Sequence, residues 1–169
     1  GILRPWGPDV LFGADVHGAT LGLIGFGRIG QAMARRASGF NMRVLYTQRH
    51  RDLKAESELG AEYLPLDELL SVSDFVSLHA YLSPEAKGMI GARQFAMMKP
   101  GVVFINTARG AMVDHNALHK ALLSGRITAA ALDVFDPEPI PASHPLLSLP
   151  QVIITPHIAS ASTSPRQRM

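Results

Sequence analysis

Three glycines within residues 19–30, which read ATLGLIGFGRIG, constrain this chain more than any other feature. Gly25, Gly27 and Gly30 have the G-x-G-x-x-G spacing, directly after an apolar run and directly before a helix-like segment. We expect Gly25 to permit a tight strand-to-helix turn, Gly27 to leave room for a pyrophosphate, and Gly30 to let the helix pack against its own strand. Because the amides at such a helix start favour bound phosphate, this stretch predicts a dinucleotide site.

Short apolar segments alternate with helical ones along the rest of the chain, which predicts parallel β-α-β units. Strands are predicted before Gly25 and at residues 42–46, 61–64, 74–79, 102–106, 127–132 and 152–155. Helical segments are predicted at residues 31–40, 53–60, 65–71, 93–98 and 114–123, with a further helix start at 83–85. On the first helix, the apolar face is expected to consist of Met33, Ala34, Ala37 and Phe40. The pattern indicates an α/β protein of Rossmann type, with a doubly wound parallel sheet in three α/β/α layers.

The composition is typical of one globular domain. The chain has 169 residues, of which 47% are hydrophobic and 18% are charged, and this balance excludes disorder. It has no cysteine, which excludes disulfides and thiolate zinc ligands, and we expect no metal site. No apolar run approaches the length of a membrane span, and a net charge of +2 gives no reason to expect nucleic acid. We therefore expect a cytoplasmic protein with neither a membrane nor a nucleic acid as partner.

The residues after the second predicted strand bear on the choice of nucleotide. In this fold an Asp or Glu at that point accepts hydrogen bonds from the adenine ribose and favours NAD. Here Thr47, Gln48 and Arg49 follow the strand, and Arg51 comes two residues later. Hydroxyl, amide and guanidinium groups match a 2′-phosphate, so we expect NADP to be preferred over NAD. The alternative is that both arginines are solvated loop residues and that NAD is used.

Polar side chains follow the ends of several predicted strands, where ligands bind in open α/β sheets. They are His79, Asn106, Thr107, Arg109, Asp133, Glu138, Thr155 and His157. Each alone has an ordinary structural explanation: a histidine satisfied in the core, an aspartate capping a turn, a solvated glutamate. Together they provide an anion-binding arginine, a carboxylate and an imidazole, which suits the reduction of a keto acid beside a nicotinamide.

Four segments, in order, resemble the signatures of the D-isomer-specific 2-hydroxyacid dehydrogenases. They are GFGRIG at 25–30, INTARG at 105–110, LDVFDPEP at 132–139 and TPHIAS at 155–160. Within that family the chain is most similar to the glyoxylate/hydroxypyruvate reductases, through VLYT at 44–47 with Arg49, HPLL at 144–147 and the segment around Trp6. The resemblance implies hydride transfer from NAD(P)H to a small 2-oxo acid such as hydroxypyruvate or glyoxylate.

The resemblance also implies a role for each matching residue. Arg109 would hold the substrate carboxylate and carbonyl, His157 would be the general acid, and Glu138 would hydrogen-bond the other ring nitrogen of His157. The residues expected to bind the cofactor are Gly25, Gly27, Arg28, Ile29, Gly30, Thr47, Gln48, Arg49, His79, Thr107, Asp133 and Ala159. Among them, Asp133 would face the nicotinamide carboxamide. The family often has a proline where Tyr81 stands, so the wall near the adenosine is expected to differ.

The resemblance covers the cofactor domain of the family and not its substrate domain. We expect residues 1–18 to be a lead-in loop, 19–160 the NAD(P)-binding domain, and 161–169 the start of a truncated helix. The relatives form dimers through the cofactor domain, and a tryptophan in the lead-in reaches the neighbouring active site. Trp6 is therefore a candidate substrate-binding residue in a homodimer, with a surface loop position as the alternative.

Two rival interpretations use the same motifs. The C-terminal binding protein corepressors resemble this chain in scaffold and site residues, and there the dinucleotide signals oligomerisation. NAD-linked phosphoglycerate, D-lactate and formate dehydrogenases also share the motifs, and their substrate choice would be determined mainly outside this chain.

Overall fold

The computed structural model describes residues 13–163, which form one sheet of seven parallel strands in the order β3-β2-β1-β4-β5-β6-β7. The strands are β1 (Thr20–Ile24), β2 (Arg43–Thr47), β3 (Glu62–Tyr63), β4 (Phe75–Leu78), β5 (Val102–Asn106), β6 (Ile127–Leu132) and β7 (Val152–Ile154). The chain runs outward from β1 to β3 and then crosses back to β4 on the other side of β1. This order confirms the predicted Rossmann-type fold.

The connections between strands are helical, as parallel neighbours require. The α-helices are α1 (Arg28–Ala37), α2 (Leu53–Leu59), α3 (Leu66–Val72), α4 (Ala92–Met97) and α5 (His115–Leu123). Short 3-10 helices occur at Ser38–Phe40, Pro84–Ala86, Gly110–Met112 and Pro145–Ser148. Within residues 13–163, no helix is both long and apolar enough to cross a bilayer.

Two buried clusters lie on opposite faces of the sheet, because successive strand residues point to opposite sides. Leu23 on β1 belongs to the cluster that also holds Ala34 of α1. The next residue, Ile24, belongs to the other cluster, with Leu69 of α3 and Leu118 of α5. The sheet is therefore covered on both faces, in the three layers that the alternating pattern predicts.

The first helix differs from the expected segment 31–40 at both ends. It begins at Arg28 and ends at Ala37, and a 3-10 helix then continues to Phe40. Ala34 and Ala37 are buried as predicted, but Phe40 is 54% exposed. The prediction for Phe40 was wrong because the tighter 3-10 turn rotates its side chain away from the apolar face of α1. The predicted helix start at 83–85 is likewise only the short 3-10 helix Pro84–Ala86.

Candidate functional site

The parallel register brings the carboxyl ends of neighbouring strands to one edge of the sheet. The last paired residues of these strands are Thr47, Ile24, Leu78, Asn106, Leu132 and Ile154. Side chains that follow those positions therefore share that edge, where ligands of doubly wound sheets bind.

The glycine loop between β1 and α1 depends on two close backbone approaches. Gly25 has φ +98°, and a Cβ there would lie 2.5 Å from the backbone nitrogen of Ala80, in the segment after β4. A Cβ on Gly30 would lie 2.3 Å from the carbonyl oxygen of Gly25. Gly30 thus lets α1 pack closely against the residue that directly follows β1.

Gly27 occupies a different environment, which fits a bound phosphate. It is the N-cap of α1, has no side chain to cap the first-turn amides, and leaves nothing within 4 Å of the place where a Cβ would stand. The first turn of α1 holds no acidic residue, and Arg28 and Ile29 within it are exposed. Open space beside uncapped amides at a helix N-terminus is suited to a pyrophosphate.

A cleft of about 750 Å³ opens beside this loop. The predicted cofactor residues that line it are Gly25, Gly27, Thr47, Gln48, Arg49 and His79. The segment after β4 forms the facing wall, with Ala80, Tyr81, Ser83 and Glu85 among its lining residues. Tyr81, which departs from the family pattern, is 88% exposed there.

The side chain of Gln48 ties the two loops of one cleft wall together. Its Oε1 accepts a hydrogen bond from the amide of Phe26 at 3.2 Å, and its Nε2 donates to the carbonyl of His50 at 2.7 Å. The side-chain amide of Gln48 is thus hydrogen-bonded within the chain. Its contribution to the site is to hold the glycine loop beside the end of β2.

The two arginines of this loop have different environments. Arg51 binds both carboxylate oxygens of Glu56, at 3.0 and 2.7 Å, and lies over the ring of Tyr63. This bidentate pair, followed by the hydroxyl of Tyr46, lowers the pKa of Glu56 to about 2. Arg49 is 75% exposed in the cleft wall, with its Nη2 4.0 Å from Oε2 of Glu85. Of the two, only Arg49 extends toward the cleft.

His79 follows β4 and is half-buried at the base of the cleft. Its Nε2 lies 3.0 Å from the hydroxyl oxygen of Ser77, which is buried on the same strand. Burial lowers the pKa of His79, which favours the neutral imidazole. Its backbone amide also donates to the carbonyl of Ile24, so the histidine is fixed beside the glycine loop.

Glu138 and His157 form a hydrogen-bonded pair after β6 and β7. Nδ1 of His157 lies 2.8 Å from Oε2 of Glu138, and Oε1 of Glu138 accepts from the amide of Phe135 at 2.8 Å. The hydrogen bond from His157, followed by that from Phe135, lowers the pKa of Glu138 and keeps its carboxylate ionised at neutral pH. The Nε2 atom of the ring is left for another partner.

Asp133 fixes the loop that carries His157. It is buried, and its carboxylate accepts from the Thr155 hydroxyl and from the amides of Ile158 and Ala159, at 2.9 and 2.8 Å. Burial raises the pKa of Asp133, but these hydrogen bonds together outweigh it, so the pKa lies below its usual range. His157 has φ +53°, a backbone conformation that non-glycine residues rarely adopt, and this network holds it there.

Arg109 stands on a turn shaped by the buried Asn106. Oδ1 of Asn106 accepts from the amide of Ala108, and its Nδ2 donates to the carbonyl of Arg109, both at 3.0 Å. The side chain of Arg109 is exposed, and its Nη1 donates to the neighbouring Ala108 carbonyl at 2.6 Å. Thr107 is also exposed on this turn. The guanidinium thus stays accessible at the same edge of the sheet as Glu138 and His157.

Several residues shape the site through hydrogen bonds, although the sequence alone assigns them no role. Asn106 is predicted to lie at the sheet edge but without a task of its own, and no sequence pattern indicates Glu56, Asp52 or Gln31. Gln31 bridges Phe26 and Asp52, and Tyr46 bonds both Glu56 and the amide of Asp52. No local sequence pattern predicts these hydrogen bonds, because the bonded residues lie on different helices, strands or loops. Trp6 lies outside the described residues.

Comparison with known proteins agrees with this geometry. Residues 4–159 match the family described as D-isomer specific 2-hydroxyacid dehydrogenase, NAD binding domain. The chain is 53% identical to a glyoxylate reductase of Korarchaeum cryptofilum over 97% of this chain and 49% of that protein. It is 52% identical to glyoxylate/hydroxypyruvate reductase B of Citrobacter koseri over 96% of this chain and 50% of that protein.

Among solved structures, the TT0316 protein of Thermus thermophilus superimposes with a TM-score of 0.92 at 48% identity, over 99% of this chain and 52% of that one. The chain spans about half the length of the curated relatives that it matches. By this match and by its fold, the chain belongs to the D-isomer specific 2-hydroxyacid dehydrogenase family, as an NAD-binding domain.

Proposed function

We propose that this chain is the cofactor-binding part of an oxidoreductase that transfers a hydride from NAD(P)H to a small 2-oxo acid. The observation that carries the proposal is the 2.8 Å contact between His157 and Glu138 at the sheet edge where the glycine loop also lies. The relatives named glyoxylate reductase and glyoxylate/hydroxypyruvate reductase favour glyoxylate and hydroxypyruvate as substrates.

In this proposal each catalytic residue has a separate task. A nicotinamide dinucleotide held beside the glycine loop would supply the hydride that the carbonyl carbon of the substrate needs. His157 gives a proton from Nε2 to the carbonyl oxygen, and the product is the 2-hydroxy acid. Glu138 accepts a hydrogen bond from Nδ1, which fixes the orientation of the ring and leaves Nε2 directed to the substrate. Arg109 holds the substrate carboxylate with its planar guanidinium.

We further propose that NADP(H) is preferred over NAD(H). The support is that no acid closes β2, where Thr47 and Gln48 stand, and that Arg49 is exposed in the adjoining cleft wall. NAD(H) use is the alternative, and the description of the matching family as an NAD binding domain supports it. Residues 19–160 would form the NAD(P)-binding domain, with the substrate cleft completed by a domain outside this chain. Dimer formation, a role for Trp6 in the partner's site, and a cytoplasmic location stay predictions.

The proposal can be tested with a chimera in which this chain replaces the matching half of the Korarchaeum cryptofilum glyoxylate reductase. We expect the chimera to oxidise NADPH when glyoxylate or hydroxypyruvate is added. Nucleotide binding, measured by fluorescence, confirms that the chimera is folded. A chimera that binds NADPH but reduces neither glyoxylate nor hydroxypyruvate would contradict the proposal.

A further inference from the structure

Two opposite charges face each other across the mouth of the cleft. Arg49 lies on the loop after β2, and Glu85 lies on the segment after β4, and both line the cleft. Nη2 of Arg49 is 4.0 Å from Oε2 of Glu85, and the two side chains are 75% and 73% exposed. At this separation the ions attract each other without a direct hydrogen bond, so the pair does not keep Arg49 from a different partner.

Glu85 is held in place by its own segment. Oε2 accepts a hydrogen bond of 2.6 Å from the hydroxyl of Ser83, just before the 3-10 helix Pro84–Ala86. This hydrogen bond lowers the pKa of Glu85, with a smaller effect from Arg49, so the group is ionised at neutral pH. Glu85 is thus a negative charge that a hydrogen bond from its own segment orients on the cleft wall, next to Arg49.

The charge of Glu85 bears on nucleotide choice because of where Arg49 stands. Arg49 follows Thr47 and Gln48, at the end of the strand where the adenine ribose lies in this fold. A 2′-phosphate there would attract Arg49 and repel Glu85, whereas the uncharged 2′-hydroxyl of NAD(H) would not be repelled. The end of β2 lacks an acid, and Glu85 supplies one from the opposite wall.

We infer that Glu85 is a specificity-determining residue, which competes with the 2′-phosphate of NADP(H) for Arg49 and so limits the preference for NADP(H). This inference rests on the proposed function, because it needs a dinucleotide in the cleft. The preference would then reflect a balance between Arg49 and Glu85, rather than the arginine alone.

The test is a fluorescence titration of Glu85→Gln and the unaltered chain with NADPH and with NADH. We expect Glu85→Gln to tighten NADPH binding by about two- to fivefold and to leave NADH binding within about twofold. The gain should shrink when salt is raised from about 0.02 M to about 0.5 M, because both charges are exposed.

Arg49 provides the second arm of the experiment. Arg49→Gln alone should weaken NADPH binding. When Glu85→Gln is added to Arg49→Gln, the increase in NADPH affinity should be less than half of that caused by Glu85→Gln in the unaltered chain, because the two residues are coupled. Glu58→Gln is the matched control. It removes the same charge from an exposed pair, with Lys54 at 3.8 Å, and Glu58 does not line the cleft.

The outcomes separate the inference from the proposed function. If both nucleotides bind the unaltered chain but Glu85→Gln changes neither affinity, or changes both equally, the inference is wrong and the proposed function stands. The inference is also wrong if Glu58→Gln shifts the NADPH to NADH ratio as much as Glu85→Gln does. If neither nucleotide binds the unaltered chain, the proposed function is contradicted and the inference falls with it.

Discussion

Gly110 lies directly against the backbone of Phe135. A Cβ added to Gly110 would stand 2.0 Å from the carbonyl carbon of Phe135 and 2.2 Å from its oxygen. Arg109 immediately precedes this contact on one side, and the amide of Phe135 binds Glu138 on the other. The close approach therefore holds the turn of Arg109 beside the loop of Glu138. Backbone packing thus fixes the position of these two residues relative to each other.

Gly110→Ala should accordingly destabilise the fold. The added methyl group meets backbone atoms that cannot move aside, so we expect the free energy of unfolding to fall by about 2–4 kcal/mol. Urea denaturation measures this change. Gly39→Ala is the control, since a Cβ there meets nothing within 4 Å, and it should change stability by less than about 0.5 kcal/mol. Equal effects of the two substitutions would contradict the packing described.

Alanine should affect mainly stability at Gly25 and mainly nucleotide binding at Gly27. Gly25→Ala forces a side chain onto φ +98° and against Ala80, so we expect it to lower stability by more than about 2 kcal/mol. Gly27→Ala should lower stability by only about 1 kcal/mol, because alanine is a poorer N-cap than glycine. It should weaken binding of both nucleotides at least about tenfold, since its methyl group enters the phosphate space. Undiminished nucleotide affinity in Gly27→Ala would show that the pyrophosphate lies elsewhere.

Acid should lower the stability of the folded chain partly by protonating Glu56. Its pKa is lowered from 4.5 to about 2 in the folded chain, first by Arg51 and then by Tyr46. A carboxyl group whose pKa is lowered by folding contributes its full stabilisation of the fold above about pH 4.5. This contribution to the free energy of unfolding is lost as the pH falls toward 2. Thermal unfolding of Glu56→Gln should therefore differ most from the unaltered chain near neutral pH, and the difference should narrow toward pH 2. A difference that does not depend on pH would contradict this assignment.

Asp133→Asn should loosen the loop of His157. The buried carboxylate accepts three hydrogen bonds, and an amide would place an N–H against one of those donors, which costs about 1–3 kcal/mol. Asp67→Asn is a suitable comparison, because Asp67 pairs with Arg93 at the surface and should matter by less than about 1 kcal/mol. Urea midpoints that fall equally in both variants would argue against the role given to Asp133.

Much of the fold follows from the sequence because local chemistry and tertiary structure agree. The strand Val102–Asn106 is predicted at its observed bounds, since an apolar run between a Pro-Gly turn and polar residues has few alternatives. The helix predicted at 114–123 is observed as α5, where the N-cap Asp114 accepts hydrogen bonds from the amides of Asn116 and Ala117. These features depend on neighbours within a few residues.

Two site assignments made from the sequence depend on contacts that only the folded chain shows. The sequence pattern groups Arg51 with Arg49 as a phosphate ligand, but Glu56 and Tyr63 engage it. The family resemblance assigns Asp133 to the nicotinamide carboxamide, and the structure shows its oxygens bonded to the loop of His157, so that assignment stays a prediction. Residue types identify which groups can do chemistry, whereas the folded chain decides which of them remain available.

Proton delivery by His157 is the step on which the proposed mechanism depends most. In the chimera, kcat for glyoxylate with NADPH and the Kd for NADPH should be measured together for His157→Gln and for the unaltered sequence. We predict that kcat falls by about 10²–10⁴-fold, as for loss of a general acid, while the Kd changes by less than about twofold. Near-normal turnover in a folded His157→Gln chimera would contradict the proposed mechanism.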